Sequence, residues 1–228
     1  MNSDELLQQY ATGERQFQKV DLQGASLFRA NLPGIVLKAA NLIGANLSGA
    51  NLTEADLSQA NLIGANLSAA NLRGVNLSGA ELIGANLGGA KLGEANLAGI
   101  TLNGANLSAA NLNGANFNAA SLARANLAGA VLSNARLKET YGSGANLSHA
   151  NLTKADLSQA NLEGGNLLGA NLGKAVLRGA MLTNTNLSGA NLAGADLSFA
   201  NLTGANWPEE HWPEATLAET TLPNGTVG

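Results

Sequence analysis

Leucine recurs at every fifth position along almost the whole chain. From residue 17 to residue 222 there are 42 consecutive centres of a five-residue unit, and 37 of them are Leu. The other five centres are Phe17, Phe117, Gly142, Trp207 and Trp212. When the centre is called i, position i−2 is Ala in 32 units, i−1 is mostly Asn, and i+2 is Gly in 20 units. No insertion or deletion interrupts the pattern, which indicates that one short structural unit is repeated throughout.

A period of five matches neither the 3.6 residues of an α-helical turn nor the two-residue alternation of a flat strand. It indicates a short extended piece followed by a corner, so that the same side chain points inward every five residues. Gly at i+2 supplies the positive φ that the third position of a type II turn requires. Leu at i and Ala at i−2 are therefore predicted to point inward, and the other three positions to face water. The pattern predicts an all-β solenoid of stacked coils.

Units such as Ala45-Asn46-Leu47-Ser48-Gly49 and Ala55-Asp56-Leu57-Ser58-Gln59 match the consensus A(D/N)LXX. On these motifs the chain resembles the pentapeptide-repeat proteins over about nine-tenths of its length. The resemblance implies a right-handed quadrilateral β-helix with four units per coil, hence about ten coils in a rod roughly 50 Å long. The sequence supports this coil, because the i−1 residue of every fourth unit is Asn from residue 46 to residue 206 without a break.

The pattern predicts one domain over residues 1–228, with a capping helix and lead-in at 1–16, the β-helix at 17–206 and a C-terminal cap at 207–228. Residues 3–12 are expected to form the helix, with Ser3 as its N-cap and Gly13 as its stop. The helix and Trp207 and Trp212 are expected to cover the strand edges that a solenoid exposes at its ends.

An alternative interpretation makes the two Trp residues a partner-binding or dimerisation surface. It rests on the resemblance, which implies that some family members dimerise through their C-terminal coils. The chain is therefore expected to be either a monomer or a homodimer formed through its C-terminal coils.

Two irregularities on the predicted surface are candidate binding sites. At residues 140–144 the consensus fails, which predicts a dented coil or small bulge that is either a tolerated defect or a recognition point presenting Tyr141. Ile43, Ile63 and Ile83 occupy i+1 in three successive coils, either as a stabilising ladder or as an apolar docking stripe. The other exposed apolar candidates are Val36, Val131, Val176, Met181 and Phe199.

The composition offers little catalytic chemistry. Cys is absent, and His149 and His211 are the two His residues, so thiolate and histidine metal sites are not expected. No nucleophile–base pair or phosphate-binding loop appears. Asp56, Asp156 and Asp196 share one predicted face but lie two or more coils apart, too far for a paired acid–base site. We predict neither catalysis nor a cofactor nor a metal.

The net charge of −4 is unevenly distributed. Residues 17–206 hold nine acidic and eleven basic residues, whereas the stretches before and after them are acidic. A mimic of duplex DNA needs a dense negative stripe, and a DNA-binding surface needs a basic patch. The repeat body has neither, so direct nucleic-acid binding is not predicted.

Residues 1–16 lack the features of a signal peptide, and no apolar run approaches the roughly 18 residues of a membrane span. We therefore expect a cytoplasmic protein without membrane association. The ends of the chain resemble those of cyanobacterial pentapeptide-repeat proteins, one of which regulates heterocyst differentiation by binding other proteins. The residues that carry this resemblance are Tyr10, Ala11, Gly13, Arg15, Phe17, Gln18, Pro223 and Gly225.

Taken together, the sequence predicts a non-enzymatic protein-interaction scaffold or regulator whose partner is another protein. The partner is expected to contact Ile43, Ile63 and Ile83, or Tyr141, or the end cap with Trp207 and Trp212. The alternative function, which comes from the family resemblance, is a DNA-mimic inhibitor of a type II topoisomerase such as gyrase. That inhibitor would act through the acidic C-terminal end.

Overall fold

The computed structural model describes residues 1–207 and 214–228 and begins with helix α1 (Ser3–Ala11). A four-sided β-helix follows, as predicted. The i−1 residue of each unit pairs in parallel with the residue 20 positions further along, from the Gln16–Val36 pair to the Asn201–Thr221 pair. One five-residue unit therefore forms one side of each coil. Within the described residues, no helix is long and apolar enough to cross a membrane.

The 20-residue coil gives the rod four faces, which we call A to D. Face A has its centres from Phe17 to Leu217, and face B has its centres from Leu22 to Leu222. Face C has its centres from Leu27 to Trp207, and face D has described centres from Leu32 to Leu192. Because the faces follow one another around the coil, face B lies opposite face D.

Every backbone N–H of a typical unit donates a hydrogen bond. In the unit centred on Leu47, the N–H groups at i−1, i and i+2 donate to neighbouring coils at 2.7–2.9 Å, and the N–H of Ala50 closes the corner at 3.0 Å. The remaining N–H, that of Ser48, donates to the side-chain Oδ1 of Asn46 at 3.1 Å. The Asn at i−1 therefore satisfies the one N–H that the coils leave over, which explains its recurrence.

The core is a column of Leu and Ala side chains. The Leu centres from Leu22 to Leu202 are buried, and so is almost every Ala at i−2, as predicted. At the corners, every described i+2 residue from Lys19 to Glu219 has φ between 54° and 68°, whether or not it is Gly. The sequence prediction of a positive-φ corner is confirmed, and it holds even where the residue has a Cβ.

The N-cap of α1 is Asn2, so the prediction of Ser3 was wrong. Oδ1 of Asn2 accepts from the backbone N–H of Glu5 at 2.8 Å, and the Glu5 carboxylate accepts from the N–H of Asn2 at 3.0 Å. This reciprocal capping box satisfies two N–H groups at once. The stop at Gly13 is confirmed, because Gly13 has φ of 105° and donates to the carbonyl of Tyr10 at 3.1 Å.

Helix α1 covers the lower end of the rod. Leu6 is fully buried against the first coil, and Leu7 and Tyr10 pack partly against it. The Tyr10 hydroxyl donates to the backbone carbonyl of Pro33 at 2.7 Å. That carbonyl belongs to the first coil, which has no coil beneath it, so Tyr10 satisfies a group on the open strand edge.

The upper end closes with a hairpin. Parallel pairing continues to Thr221, and Thr221 then pairs antiparallel with Val227. The N–H of Gly228 donates to the carbonyl of Thr220 at 2.9 Å, so the chain folds back over the last coil. Trp207 is half-buried and packs against the end of the core. The other predicted cap residue, Trp212, lies outside the described residues.

Candidate protein-binding face

Four of the six sequence-predicted site residues lie on face B. Ile43, Ile63 and Ile83 occupy i+1 in three stacked coils, and Tyr141 occupies i−1 further along the same face. Tyr141 is 62% exposed and Ile83 is 43% exposed, whereas Ile43 and Ile63 are half-buried. Trp207 belongs to face C and therefore does not join this group.

The coil at Tyr141 has no bulge, which corrects the predicted dent. The N–H of Tyr141 donates to the backbone carbonyl of Ala120 at 2.9 Å, and that of Gly142 donates to the backbone carbonyl of Asn161 at 2.7 Å, as in regular coils. Only the inward side chain is missing at Gly142. A Cβ built there would lie 2.8 Å from Cδ2 of Leu162, so the Leu of the next coil occupies part of the free space. Tyr141 is therefore presented by a regular backbone.

Met181 extends the apolar part of face B. It occupies i−1 two coils beyond Tyr141 and is 45% exposed. Between Ile83 and Tyr141, positions i−1 and i+1 of the face carry the small or short polar side chains of Thr101, Asn103, Ser121 and Ala123, and Arg124 occupies a corner. The apolar residues therefore form a diagonal that starts at i+1 near the N-terminal end and finishes at i−1 near the C-terminal end. We call the set Ile43, Ile63, Ile83, Tyr141 and Met181 the face B stripe.

Charge differs between the faces. The acidic residues of face B are Asp21, Glu81 and Glu163, and its one basic residue among the described residues is Arg124. The ion pairs that the described part of the chain forms lie elsewhere. Arg73 and Glu94 pair at 3.6 Å on face D, and Lys138 and Glu139 pair at 3.6 Å on face A, all with exposed side chains.

Face C carries a ladder of amides instead of an apolar stripe. From Asn86 to Asn206, each Asn at i−1 donates from Nδ2 to Oδ1 of the Asn one coil below, at 3.0–3.4 Å. The unbroken Asn column of the sequence is therefore a structural device of the rod. These amides are already bonded to one another, which leaves them little capacity to bind a partner.

Face C carries two exposed apolar residues that were not predicted from the sequence. Phe28 is 54% exposed, with the Arg29 guanidinium 5.0 Å from its ring centre, and Leu168 is 38% exposed. Both occupy i+1, so checking that position unit by unit would have found them. They lie seven coils apart on the register and do not form a continuous patch.

Face A contains a shallow recess of about 410 Å³ that is lined by Lys138, Ser158 and Arg178, among others. The Arg178 guanidinium lies 4.5 Å from the ring centre of Phe199, which also lines the recess. Asp156 also lines the recess, so its charges are mixed.

Asp196, on the same face, accepts from the hydroxyl and the N–H of Ser198 at 2.6 and 2.9 Å. These hydrogen bonds, with a smaller contribution from Arg178, hold the pKa of Asp196 below its usual range. Asp156 and Asp196 are separated by the coil that carries Val176, as the sequence analysis expected. Among the described residues, no three His, Cys, Asp or Glu side chains lie close enough to hold a metal ion.

The geometry agrees with what related proteins show. The family model of the pentapeptide repeats matches eight stretches between residues 21 and 206. The crystal structure of HetL, a pentapeptide-repeat protein involved in heterocyst differentiation regulation from the cyanobacterium Nostoc sp. strain PCC 7120, is 38% identical and matches over 100% of both chains, with a TM-score of 0.78.

A trypsin-treated variant of QnrB1, a plasmid-mediated fluoroquinolone resistance protein, is 21% identical over 92% of each chain, with a TM-score of 0.52. At this identity the likeness shows the fold alone. No curated protein matches the sequence significantly. The repeat matches, the identity to HetL and the 20-residue coil agree, so the chain belongs to the pentapeptide-repeat family and has its right-handed β-helix fold.

Proposed function

We propose that this chain is a non-enzymatic regulator or scaffold that acts by binding another protein through face B. The observation that carries the proposal is the gathering of Ile43, Ile63, Ile83 and Tyr141 on one face of the rod. Exposed apolar residues grouped on one side of a soluble protein are typical of interaction sites. The involvement of HetL in regulation supports a regulatory role for a relative of the same length and fold.

The rod provides a rigid platform for such a contact. Backbone hydrogen bonds of 2.7–3.0 Å between coils hold face B in place. The N–H of Leu62 donates to the backbone carbonyl of Glu81, and the N–H of Gly64 donates to the backbone carbonyl of Ile83. The face B stripe is therefore fixed in space before a partner arrives. Preorganisation lowers the entropy lost on binding, which allows a small apolar surface to bind usefully.

Inhibition of a type II topoisomerase by DNA mimicry is less well supported. Face B has Asp21 and Glu81 three coils apart, about 14 Å at the usual strand spacing, whereas duplex DNA carries a charge about every 1.7 Å. Faces A and D each carry both acidic and basic residues within the described chain. The fold shared with QnrB1 says nothing about a shared target.

The proposal is tested by capture of partners from a lysate of the source organism on immobilised purified protein. We expect Ile63→Asp to reduce the amount of the captured partner at least tenfold, because a carboxylate would have to be desolvated in the apolar contact. Val131→Asp is the matched control, since Val131 is an exposed β-branched residue on the opposite face D. Circular dichroism should show unchanged β-content in both variants. Equal capture by the wild type, Ile63→Asp and a Tyr141→Ser variant would rule the proposal out.

A further inference from the structure

We infer, on the basis of the proposed function, that the partner binds face B with an amphipathic α-helix whose apolar side is flanked by Lys or Arg. The helix would lie along the axis of the rod, over the face B stripe. Three properties of the face lead to this inference: the direction of the stripe, the hydrogen bonding of the backbone groups beneath it between coils, and the sign of the charges beside it.

The stripe runs along the rod at a small angle. Ile63 and Tyr141 are four coils apart, which is about 19 Å along the axis at the usual strand spacing, and they are offset sideways by two residues, about 7 Å. A straight segment that contacts both side chains is therefore tilted by roughly 20° and spans about 20 Å. An α-helix covers that distance with about 13 residues, whereas an extended strand needs about six.

The backbone beneath the stripe favours a helix over a strand. The N–H and C=O groups of face B point along the rod axis and are already paired between coils, for example Leu82 with Thr101 at 2.7 Å and Gly84 with Asn103 at 3.0 Å. An extended segment laid across them would find no free backbone group, and its own N–H and C=O groups would face the apolar stripe unpaired. In a helix the backbone N–H and C=O groups hydrogen-bond to one another, and one side of the helix can present an apolar side chain about every turn of 5.4 Å.

The charges beside the stripe select the polar flanks of that helix. Glu81 lies at i−1, on one side of Ile83, and Glu163 lies at i+1, on the other side of the stripe beyond Tyr141. Two acids therefore flank the stripe, against Arg124 at a corner as the single base among the described residues of the face. Each acid is without an ion-pair partner in the described chain. Basic side chains on both flanks of the helix would complement these acids, and this complementarity contributes mainly to the specificity and the rate of association.

Site-specific photo-crosslinking tests the inference. p-Benzoyl-phenylalanine is placed in the full-length protein at position 63 or 141 on face B, or as a control at position 153 on face D. The proteins are irradiated in a lysate of the source organism, and the crosslinked residues are mapped by mass spectrometry. We expect positions 63 and 141 to crosslink to one segment of one protein, at residues 12–14 apart, since a helix rises about 1.5 Å per residue.

The outcomes separate the inference from the proposed function. Crosslinks five to seven residues apart, or to different proteins, would overturn the helix while leaving face B as a binding site. Crosslinks from positions 63 and 141 no more abundant than those from position 153 would overturn both. A second arm uses the double variant Glu81→Lys with Glu163→Lys, which should weaken binding of the mapped segment about tenfold. Glu54→Lys with Glu94→Lys on face D has the same net charge, and an equal loss there would overturn the charge complementarity.

Discussion

The side-chain amide of Asn76 donates from Nδ2 to Oδ1 of Asp56, which lies one coil below it on face A, over 3.1 Å. Asn96 continues the ladder by donating to Oδ1 of Asn76 at 3.2 Å. Asp56 lies above Val36, whose side chain has no acceptor. Because a carboxylate accepts hydrogen bonds and does not donate them, Asp fits at the foot of an Asn ladder and not in its interior.

This relationship predicts different effects for two similar substitutions. Asn96→Asp should lower the free energy of unfolding by about 1–2 kcal/mol, because its carboxylate would face Oδ1 of Asn76 without a hydrogen between them. Asp56→Asn is the matched change in the opposite direction and should alter stability by less than about 0.5 kcal/mol, since the new Oδ1 still accepts from Ser58 and Asn76. Urea denaturation at pH 7 measures both. Equal losses in the two variants would contradict the ladder rule.

The centre at Gly142 predicts a stabilising substitution. Gly142→Leu restores the residue found in the coils below and above, at Leu122 and Leu162, and the nearest obstacle is the movable Cδ2 of Leu162. Filling the space should raise the free energy of unfolding by about 1–2 kcal/mol, as burial of an aliphatic side chain does.

Thermal and urea denaturation of Gly142→Leu, with Gly142→Ala beside it, check this prediction. Alanine should gain less than Leu, because it displaces the end of Leu162 without replacing the contacts that are lost. A Gly142→Leu protein less stable than the wild type would show that the coil at Gly142 is adapted to its missing side chain.

The depressed pKa of Asp196 predicts part of the acid sensitivity of the rod. The hydroxyl and N–H of Ser198 stabilise the charged carboxylate in the folded state. A folded-state pKa below the unfolded one contributes stability above the unfolded pKa of about 4, and that stability is lost as the pH falls through the folded pKa. Asp196→Asn and Ser198→Ala should therefore both flatten the decline in stability below about pH 4. Urea midpoints from pH 6 to pH 2.5 measure this, and slopes identical to the wild type would refute it.

The sequence determined the coil because the requirements of the coil are local. Leu at i, Ala at i−2 and a corner at i+2 follow from the size of the side chains and from turn sterics within one unit, such as the one centred on Leu47. The unit is repeated 42 times, and its consensus resembles that of a known family. Together these two observations predict the fold. Even the non-Gly corners, such as Arg124 with φ of 57°, conform to the corner geometry of the repeat.

The tertiary structure decided what depends on neighbouring coils and on the chain ends. Leu162 occupies part of the space at Gly142 only because it lies one coil above it, and the Asn side chains form ladders only because the 20-residue offset aligns them. The N-cap at Asn2 depends on which side chain reaches Glu5, a choice between adjacent polar residues that the pattern left open. Ile63 and Tyr141 likewise share a face because the coils stack in register, which places residues distant along the chain on one side of the rod.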